Sequence, residues 1–321
     1  MNLKRLLRGG MRYLLDADYR FLYRAGQGKY NRMPDREYLE KKFKAAMGRP
    51  LDVDRPVTFN EKLQWLKLYD RRPEYTVYVD KLRVRDYIAG VLGEEYLIPL
   101  LGVYESPDEI DFAALPEKFV LKCNHNSGLG MCICHDKSAL QIDRVKNELR
   151  RGLAQDYYLT GREWPYKHVP RRIICEQFMS DESEGLIDYK FFCFNGKVDS
   201  VMVCLDRHLG DTKFYFFDRD WQLKRLNIRG KNAPEGFTLR RPACMDEMFD
   251  IAARLSEGLP FARVDLYECG GKIYFGEITF FPDSGFDPNL LPETDAYFGS
   301  LIALPEKREA DEAASPSPKK G

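Results

Sequence analysis

The chain lacks most of the marks that settle a protein's class at a glance. None of its eight cysteines stands in a CxxC pair, Cys132 and Cys134 being the nearest neighbours, and none of its four histidines falls at a zinc-finger spacing. A structural zinc site is therefore not expected. No apolar run approaches the roughly 20 residues of a membrane-spanning helix. A GxxxxGK[ST] phosphate loop is missing, and Gly26-Gln-Gly-Lys29 has the wrong spacing to replace it. Net charge is missing too: 50 Lys and Arg balance 50 Asp and Glu, so no whole-chain field argues for nucleic acid. The N-terminus is basic without the unbroken apolar core of a signal peptide. Thiols in such a context read as reduced, and the expectation is a cytoplasmic protein.

What is present is a composition of 44% hydrophobic and 31% charged residues in 321, enough for a sizeable core and two or three subdomains. Near the start, Leu3, Leu6 and Leu7, then Met11, Leu14 and Leu15, recur at helical spacing, with Lys4, Arg5, Arg8 and Arg12 on the other face. Such a basic amphipathic helix either lies on an anionic membrane surface, giving peripheral contact through residues 1–25, or packs on its own domain. Residues 33–70 continue helical, and Thr58 with Glu61 forms a capping-box pattern. A helix carrying Lys81 near its start, then Gly93 and an apolar strand over 96–101, reads as an α/β unit. The strand 119–121 ends in Lys122 and runs into Cys-Asn124-His125-Asn-Ser127-Gly128-Leu-Gly130, a loop able to turn backbone N–H groups toward a polyphosphate. It equally suits a solvent-exposed hairpin loop ahead of 131–134.

Further strands are expected over 172–179, 188–194, 198–205, 213–217 and 221–226, and a helix over 243–258. Two strands then stand out, beginning at Phe261 and at Lys272 and joined by a turn through Gly270-Gly271. Arg263 and Asp265 share one face of the first, and Glu277 and Thr279 share one face of the second. Paired across a ladder, Asp265 and Glu277 make a two-carboxylate site for a hard cation, with Arg263 beside it. The same spacing also suits an ordinary hairpin with its polar residues in solvent. The tail from Pro305, rich in Lys, Glu, Ala, Ser and Pro, cannot bury a core and is expected to be disordered.

Ala262-Arg-Val-Asp265 followed by Tyr274-Phe-Gly-Glu-Ile-Thr279 resembles the metal-binding end of ATP-grasp ligases. Asp80-Lys81, the stretch from Tyr96 to Tyr104, Phe119-Val-Leu-Lys-Cys-Asn-His125, Asp188-Tyr-Lys-Phe-Phe192 and Phe275-Gly-Glu-Ile-Thr-Phe280 together are similar to the TupA-like ATP-grasp proteins of surface-polysaccharide synthesis. The resemblance spans about residues 33–304. It implies an α+β chain with the ATP-grasp fold, two α/β subdomains clasping ATP behind a short helical N-terminal region.

The divisions implied are 1–75 (helical), 76–115 (an α/β element), 116–180 (lid with the glycine-rich loop), 181–304 (metal-site subdomain) and 305–321 (tail). The cofactors implied are ATP and Mg2+, the metal on Asp265 and Glu277 with Thr279 standing where the family usually has Asn. Lys81, Lys122, Asn124, His125, Ser127, Gly128 and Lys190 would face the phosphates, and Glu176 with the peptides of Gln177 and Phe178 the adenine. The ribose acid is left open among Asp181, Glu182 and Glu184. Arg263 would act with Lys81 and Lys122 in catalysis, and Arg207, Ser284 and Gly285 would touch substrate.

The activity implied is carboxylate–amine ligation through an acyl phosphate. One departure matters: the Rossmann-like domain that usually precedes Asp-Lys is replaced by a short helical region with no βαβ pattern. A glycosyltransferase using Asp52–Asp54 or Asp218–Asp220 is the rival enzyme, and a kinase-like or non-catalytic nucleotide-binding protein a third reading.

Overall fold

The computed structural model describes residues 12–179, 187–205 and 212–307. Helix α1 (Ala17–Gly26) starts where the Asp16 side chain accepts from the Tyr19 amide at 2.9 Å, and it buries no residue completely. Leu14 and Leu15, just ahead of it, are 74% and 80% exposed. The rest of the expected basic helix, from Leu3 to Met11, lies outside the described residues, as does the tail beyond residue 307. Among the described residues no helix is long and apolar enough to cross a membrane.

Helix α2 (Asp35–Met47) buries Tyr38, Leu39 and Phe43 and stops at Gly48, whose φ of 71° ends the helix without a Cβ penalty. Helix α3 (Phe59–Tyr69) opens with the capping box read from the sequence: the Glu61 amide donates to Thr58 Oγ1, and Glu61 Oε2 accepts from the Thr58 amide. This helix is buried nearly all round, and Asn60, Gln64 and Lys67 are buried with its apolar residues. Burying such groups is costly unless they are bonded, so their partners must be built in.

Helices α4 (Pro73–Val79) and α5 (Val84–Val91) follow. Lys81 is not near the start of a helix, as expected, but in the turn between these two, where Asp80 Oδ1 accepts from the Leu82 amide at 2.9 Å. The strand expected over 96–101 also shifts. Glu94–Tyr96 is a 3-10 turn, and β1 (Leu100–Tyr104) begins only after Pro99, which has no N–H to give to a ladder.

Strand β1 edges a four-stranded antiparallel sheet with β2 (Phe119–Cys123), β3 (Met131–Cys134) and β4 (Ile173–Gln177), in the order β1-β4-β2-β3. Helix α6 (Ile142–Ala154) covers one face through Val145 and Leu149, which meet Phe119, Leu121 and Cys123. Because side chains alternate along β2, Val120 and Lys122 turn to the opposite face, level with Glu176 and Ile174 of β4. The short helix α7 (Tyr158–Gly161) links α6 toward β4.

The second sheet holds β5 (Asp188–Phe194), β6 (Lys197–Leu205), β7 (Lys213–Phe217), β8 (Leu223–Lys224), β9 (Phe261–Cys269) and β10 (Lys272–Thr279), in the order β10-β9-β5-β6-β7-β8. All pairs are antiparallel. Between β8 and β9 lie α8 (Ile228–Lys231) and α9 (Met245–Leu255). Helix α9 packs Met248, Phe249 and Leu255 into the main core, where α3 contributes Phe59 and Leu63, and α10 (Pro292–Leu301) adds Phe298. Antiparallel sheets with helices packed outside them make this the expected α+β class. The first sheet has its own, smaller apolar core.

Candidate active site

The β9–β10 hairpin sets the site by its register. Its turn, Gly270 (φ 60°) and Gly271 (φ 76°), pairs Cys269 with Lys272 and, further along, Leu266 with Phe275. Carried on unbroken, that register would place Glu277 opposite Val264, which points into the core. A bulge between Phe275 and Glu277 shifts the pairing by one residue, so Glu277 stands opposite Asp265 and Thr279 opposite Arg263. The extra residue is Gly276, where a Cβ would lie 2.9 Å from Asp265 O. The carboxylate pair read from the sequence is thus brought together by one glycine.

Arg263 braces it. Its Nε donates to Asp265 Oδ1 at 2.7 Å and its Nη2 to Asp265 Oδ2 at 2.8 Å, and Nη2 also reaches Glu277 Oε1 (3.3 Å) and Thr279 Oγ1 (3.1 Å). Lys190 of β5, whose register partner on β9 is Asp265, donates to Asp265 Oδ2 and lies 3.3 Å from Asp188 Oδ2. Asp265 is 1% exposed. Burial pushes its carboxyl up, against the pull of Arg263 and Lys190. For Glu277, burial also acts upward, but Lys81, Arg263, Lys190 and Lys122 outweigh it and hold the carboxyl at about 2.

Lys81 Nζ sits 4.0 Å from Glu277 Oε2 and donates to Asn126 O at 2.7 Å. Lys122 Nζ is 2.6 Å from Glu176 Oε2, and Arg85 flanks Glu176 at 3.5 Å. Four cations, Lys81, Lys122, Lys190 and Arg263, therefore converge from both sheets and from the turn between α4 and α5. Each is balanced by a carboxylate, an arrangement suited to receiving a polyanion.

The donor chemistry at Asp265 and Glu277 suits a hard cation only in part. Both Asp265 oxygens are held by Arg263 and Lys190, and Glu277 Oε1 by Arg263 and Thr279, which leaves Glu277 Oε2 as the carboxylate oxygen without a hydrogen bond among the described residues. Among the described residues no group of three or more His, Cys, Asp or Glu is arranged to hold a metal. Thr279 donates to Glu277 Oε1 at 3.2 Å and so orients that carboxylate.

The glycine-rich loop is the tip of the β2–β3 hairpin, with Gly128 at φ 81° and Gly130 at φ 70°. Its asparagines turn inward. Asn124 donates to Asp80 Oδ1 and Pro170 O and accepts from the Arg172 amide, and Asn126 donates to Gly152 O. His125 is buried with its Nε2 3.1 Å from Gln155 O, facing the α6 end rather than the cations, and burial lowers its pKa. Ser127 lines the cavity. Of the peptides expected to meet adenine, the Gln177 amide already donates to Pro99 O at 3.0 Å, and the Phe178 ring stands edge-on to His135 at 4.8 Å. Next to Lys122 and Glu176, the open face of the first sheet carries Val103, Val120, Met131 and Ile133.

The cavity of about 430 Å³ beside the cluster is lined by Lys190, Arg263, Glu277, Thr279, Ser127 and Ser284, among others. Ser284 lines the cavity, whereas Gly285 is buried beside it with its carbonyl on Gln64 Nε2. Arg207, Asp181, Glu182 and Glu184 lie outside the described residues. Of the acidic triplets, Asp52 pairs with Arg55, Asp54 with Arg36, and Asp218 closes a turn on the Gln222 amide. Sequence reasoning missed Glu163, Tyr157 and Tyr166, which also line the cavity. They sit in a stretch with neither periodicity nor motif, so nothing in the linear pattern marks them.

A search of curated proteins finds no significant match. Solved structures with a partial likeness include D-alanine–D-alanine ligase from Bacillus anthracis complexed with ATP (16% identity, TM-score 0.41, 70% of this chain and 62% of that one). The Helicobacter pylori D-alanine–D-alanine ligase gives 13% identity and a TM-score of 0.42 over 76% of this chain and 69% of that one. D-cycloserine synthetase DcsG gives 17% and 0.36 over 71% and 70%. This chain thus spans under two thirds of the Bacillus anthracis enzyme, and at these scores the likenesses carry no argument. The family model of the TupA-like ATP-grasp proteins, by contrast, matches residues 61–303, both sheets and the helices that brace them. With that match covering most of its length, the chain belongs to the TupA-like ATP-grasp family and has the ATP-grasp fold.

Proposed function

We propose that the protein is an ATP-dependent ligase that phosphorylates a carboxylate and lets an amine displace the phosphate, giving an amide and ADP. The observation that carries this reading is the convergence of Lys81, Lys190 and Arg263 on Glu277 and Asp265 beside the cavity, with Lys122 held nearby on Glu176. A carboxylate attacking a γ-phosphate brings two anions together, and little but charge compensation and positioning is asked of the protein. Mg2+, when bound, would neutralise the phosphates. Glu277 would hold it through Oε2, and Asp265 could join only by releasing an oxygen from Arg263 or Lys190.

Lys81, from the turn before α5, and Lys122, from β2, would take phosphate oxygens. The apolar face around Val120 and Ile133 suits the adenine. Arg263, fixed by Asp265, can meet the anionic adduct without reorganising. The glycines of the β2–β3 tip allow it to cover the phosphates and keep water from an acyl phosphate.

The substrates proposed are a uronic-acid-type sugar and an amino acid or amino sugar, within bacterial surface-polysaccharide synthesis. A chain working on such material would sit at the inner face of the membrane, and exposed Leu14, Leu15 and Tyr23 beside Arg12 offer a peripheral contact. The test is ADP release from Mg-ATP by the purified chain, with uronic-acid nucleotide sugars and amino acids offered together and apart. ADP that requires both, and that vanishes in Glu277→Gln, supports the ligase. Turnover of the sugar nucleotide without ATP would replace it with a transferase.

A further inference from the structure

The cavity has a second polar wall that phosphate chemistry does not use. It is formed by Glu163, Ser284, Tyr157, Tyr166 and Asp283. Glu163 is 4% exposed. Its Oε1 accepts from Ser284 Oγ, and among the described residues its other oxygen has no hydrogen-bond partner. A carboxylate lining a cavity with one oxygen unbonded by the protein is open to a donor from a ligand. Tyr157 and Tyr166 stand edge to face 4.7 Å apart beside it, and burial next to Glu163 keeps both phenols protonated.

This wall is held at some energetic cost. Asp283, Ser284 and Gly285 take φ of 48°, 55° and 64° in succession, a left-handed conformation that is strained for the two non-glycine residues. Helix α3 supplies the restraint: Gln64 Nε2 donates to Gly285 O at 2.6 Å, and Lys67 Nζ donates to Ser284 O (2.6 Å), Gly161 O (2.8 Å) and Gln64 Oε1 (3.0 Å). A Cβ at Gly161 would collide with Ser284 Oγ, and one at Gly285 with Gln64 Nε2. Two of the buried polar residues of α3, Gln64 and Lys67, thus find their partners here. Strain kept in place by buried hydrogen bonds, next to an unbonded carboxylate oxygen, marks a built subsite.

We infer that this wall is the docking site of the amine substrate, with Glu163 receiving its ammonium group and Ser284 fixing the Glu163 carboxylate. The inference rests on the ligase reading above and gives helix α3 of the N-terminal region the part of holding this wall. Phe192, Met202, Phe214 and Leu290 also line the cavity, beside the polar Asn227, Asp287 and Asn289, so it can take an amine with an apolar face as well as polar groups. In the reaction, Glu163 takes one proton from the ammonium. The freed nitrogen attacks the acyl carbon, the C–N bond forms, and the acyl C–O bond breaks with its electron pair leaving on phosphate. The second N–H proton leaves with the phosphate.

The test titrates the full chain, with Mg and a non-hydrolysable ATP analogue bound, with amino acids, glucosamine and ethanolamine, each beside its N-acetylated form. A primary amine should bind, its N-acetyl form should not, and Glu163→Gln should weaken binding roughly 10- to 100-fold. Retained stabilisation by the analogue serves as the control for an intact fold. Ser284→Ala, which leaves Glu163 present but untethered, should give a smaller loss and is the second variant should Glu163→Gln fail to fold. If no amine binds, or if one binds both variants as tightly as the native chain, the inference is overturned. Glu163-dependent amine binding without ADP formation from any acid keeps the subsite and removes the ligase reading. ADP formation that needs both substrates but ignores Glu163→Gln does the reverse.

Discussion

Glu277 is the residue on which opposing effects are most evenly matched. Burial favours its neutral form, and four cations more than reverse that, so its carboxyl lies at about 2 against an ordinary 4.5. A carboxyl depressed in the folded state adds stability that is fully present above its unfolded value and is lost as pH falls through the folded one. Acid unfolding of the free protein should therefore steepen between about pH 4.5 and 2, and Glu277→Gln should flatten that part of the profile. Stability followed by denaturant melts across this window checks it; an unchanged slope in the variant would show that the cations do not act on Glu277. Lys81 responds in the opposite sense. Burial lowers its pKa, Glu277 opposes that, and Lys122 reinforces it.

At the scale of elements, the β9–β10 hairpin carries the site. The residue types were legible in the sequence, because Arg263 with Asp265 and Glu277 with Thr279 keep the period-two spacing of strands. The bulge that sets one pair against the other was not, since a glycine within a strand marks a bulge or merely a weak point. Gly276→Ala brings a Cβ to 2.9 Å from a backbone oxygen, which cannot move as a side chain can. Its expected outcome is a loss of at least tenfold in ATP-dependent turnover, although no charged or polar group is removed. Activity at native level would mean that the register survives without the glycine. Helix α3 makes a related point. Its capping box was readable, yet nothing in the sequence told that Gln64 and Lys67 face a strained turn more than 200 residues away.

For the whole molecule, two apolar cores of unequal size set the dynamics. The first sheet rests on a small cluster around Phe119, Leu121 and Leu149, and the second on a far larger one that includes α3, α9 and α10. Regions with fewer buried contacts open more readily. Amides of β2 and β3 should exchange with solvent faster than those of β5 and β9, and Mg-ATP should slow the first group most. Hydrogen exchange read by mass spectrometry tests this. Equal protection in both sheets would mean that they open as one unit.

The sequence by itself determined the composition class, the order of most elements, the loop of glycines after β2 and the cluster of Arg, Asp and Glu near its end, because these follow from local periodicity and residue type. It placed Lys81 and Lys122 among the candidates without showing that they meet. Tertiary structure alone decided that meeting, the register that pairs Asp265 with Glu277, the inward turn of His125 and the wall built on Glu163. The register turns on a local bulge whose position residue types alone do not fix; the others depend on contacts between segments far apart in the chain, and a linear pattern carries no record of which distant backbone will be there to complete it.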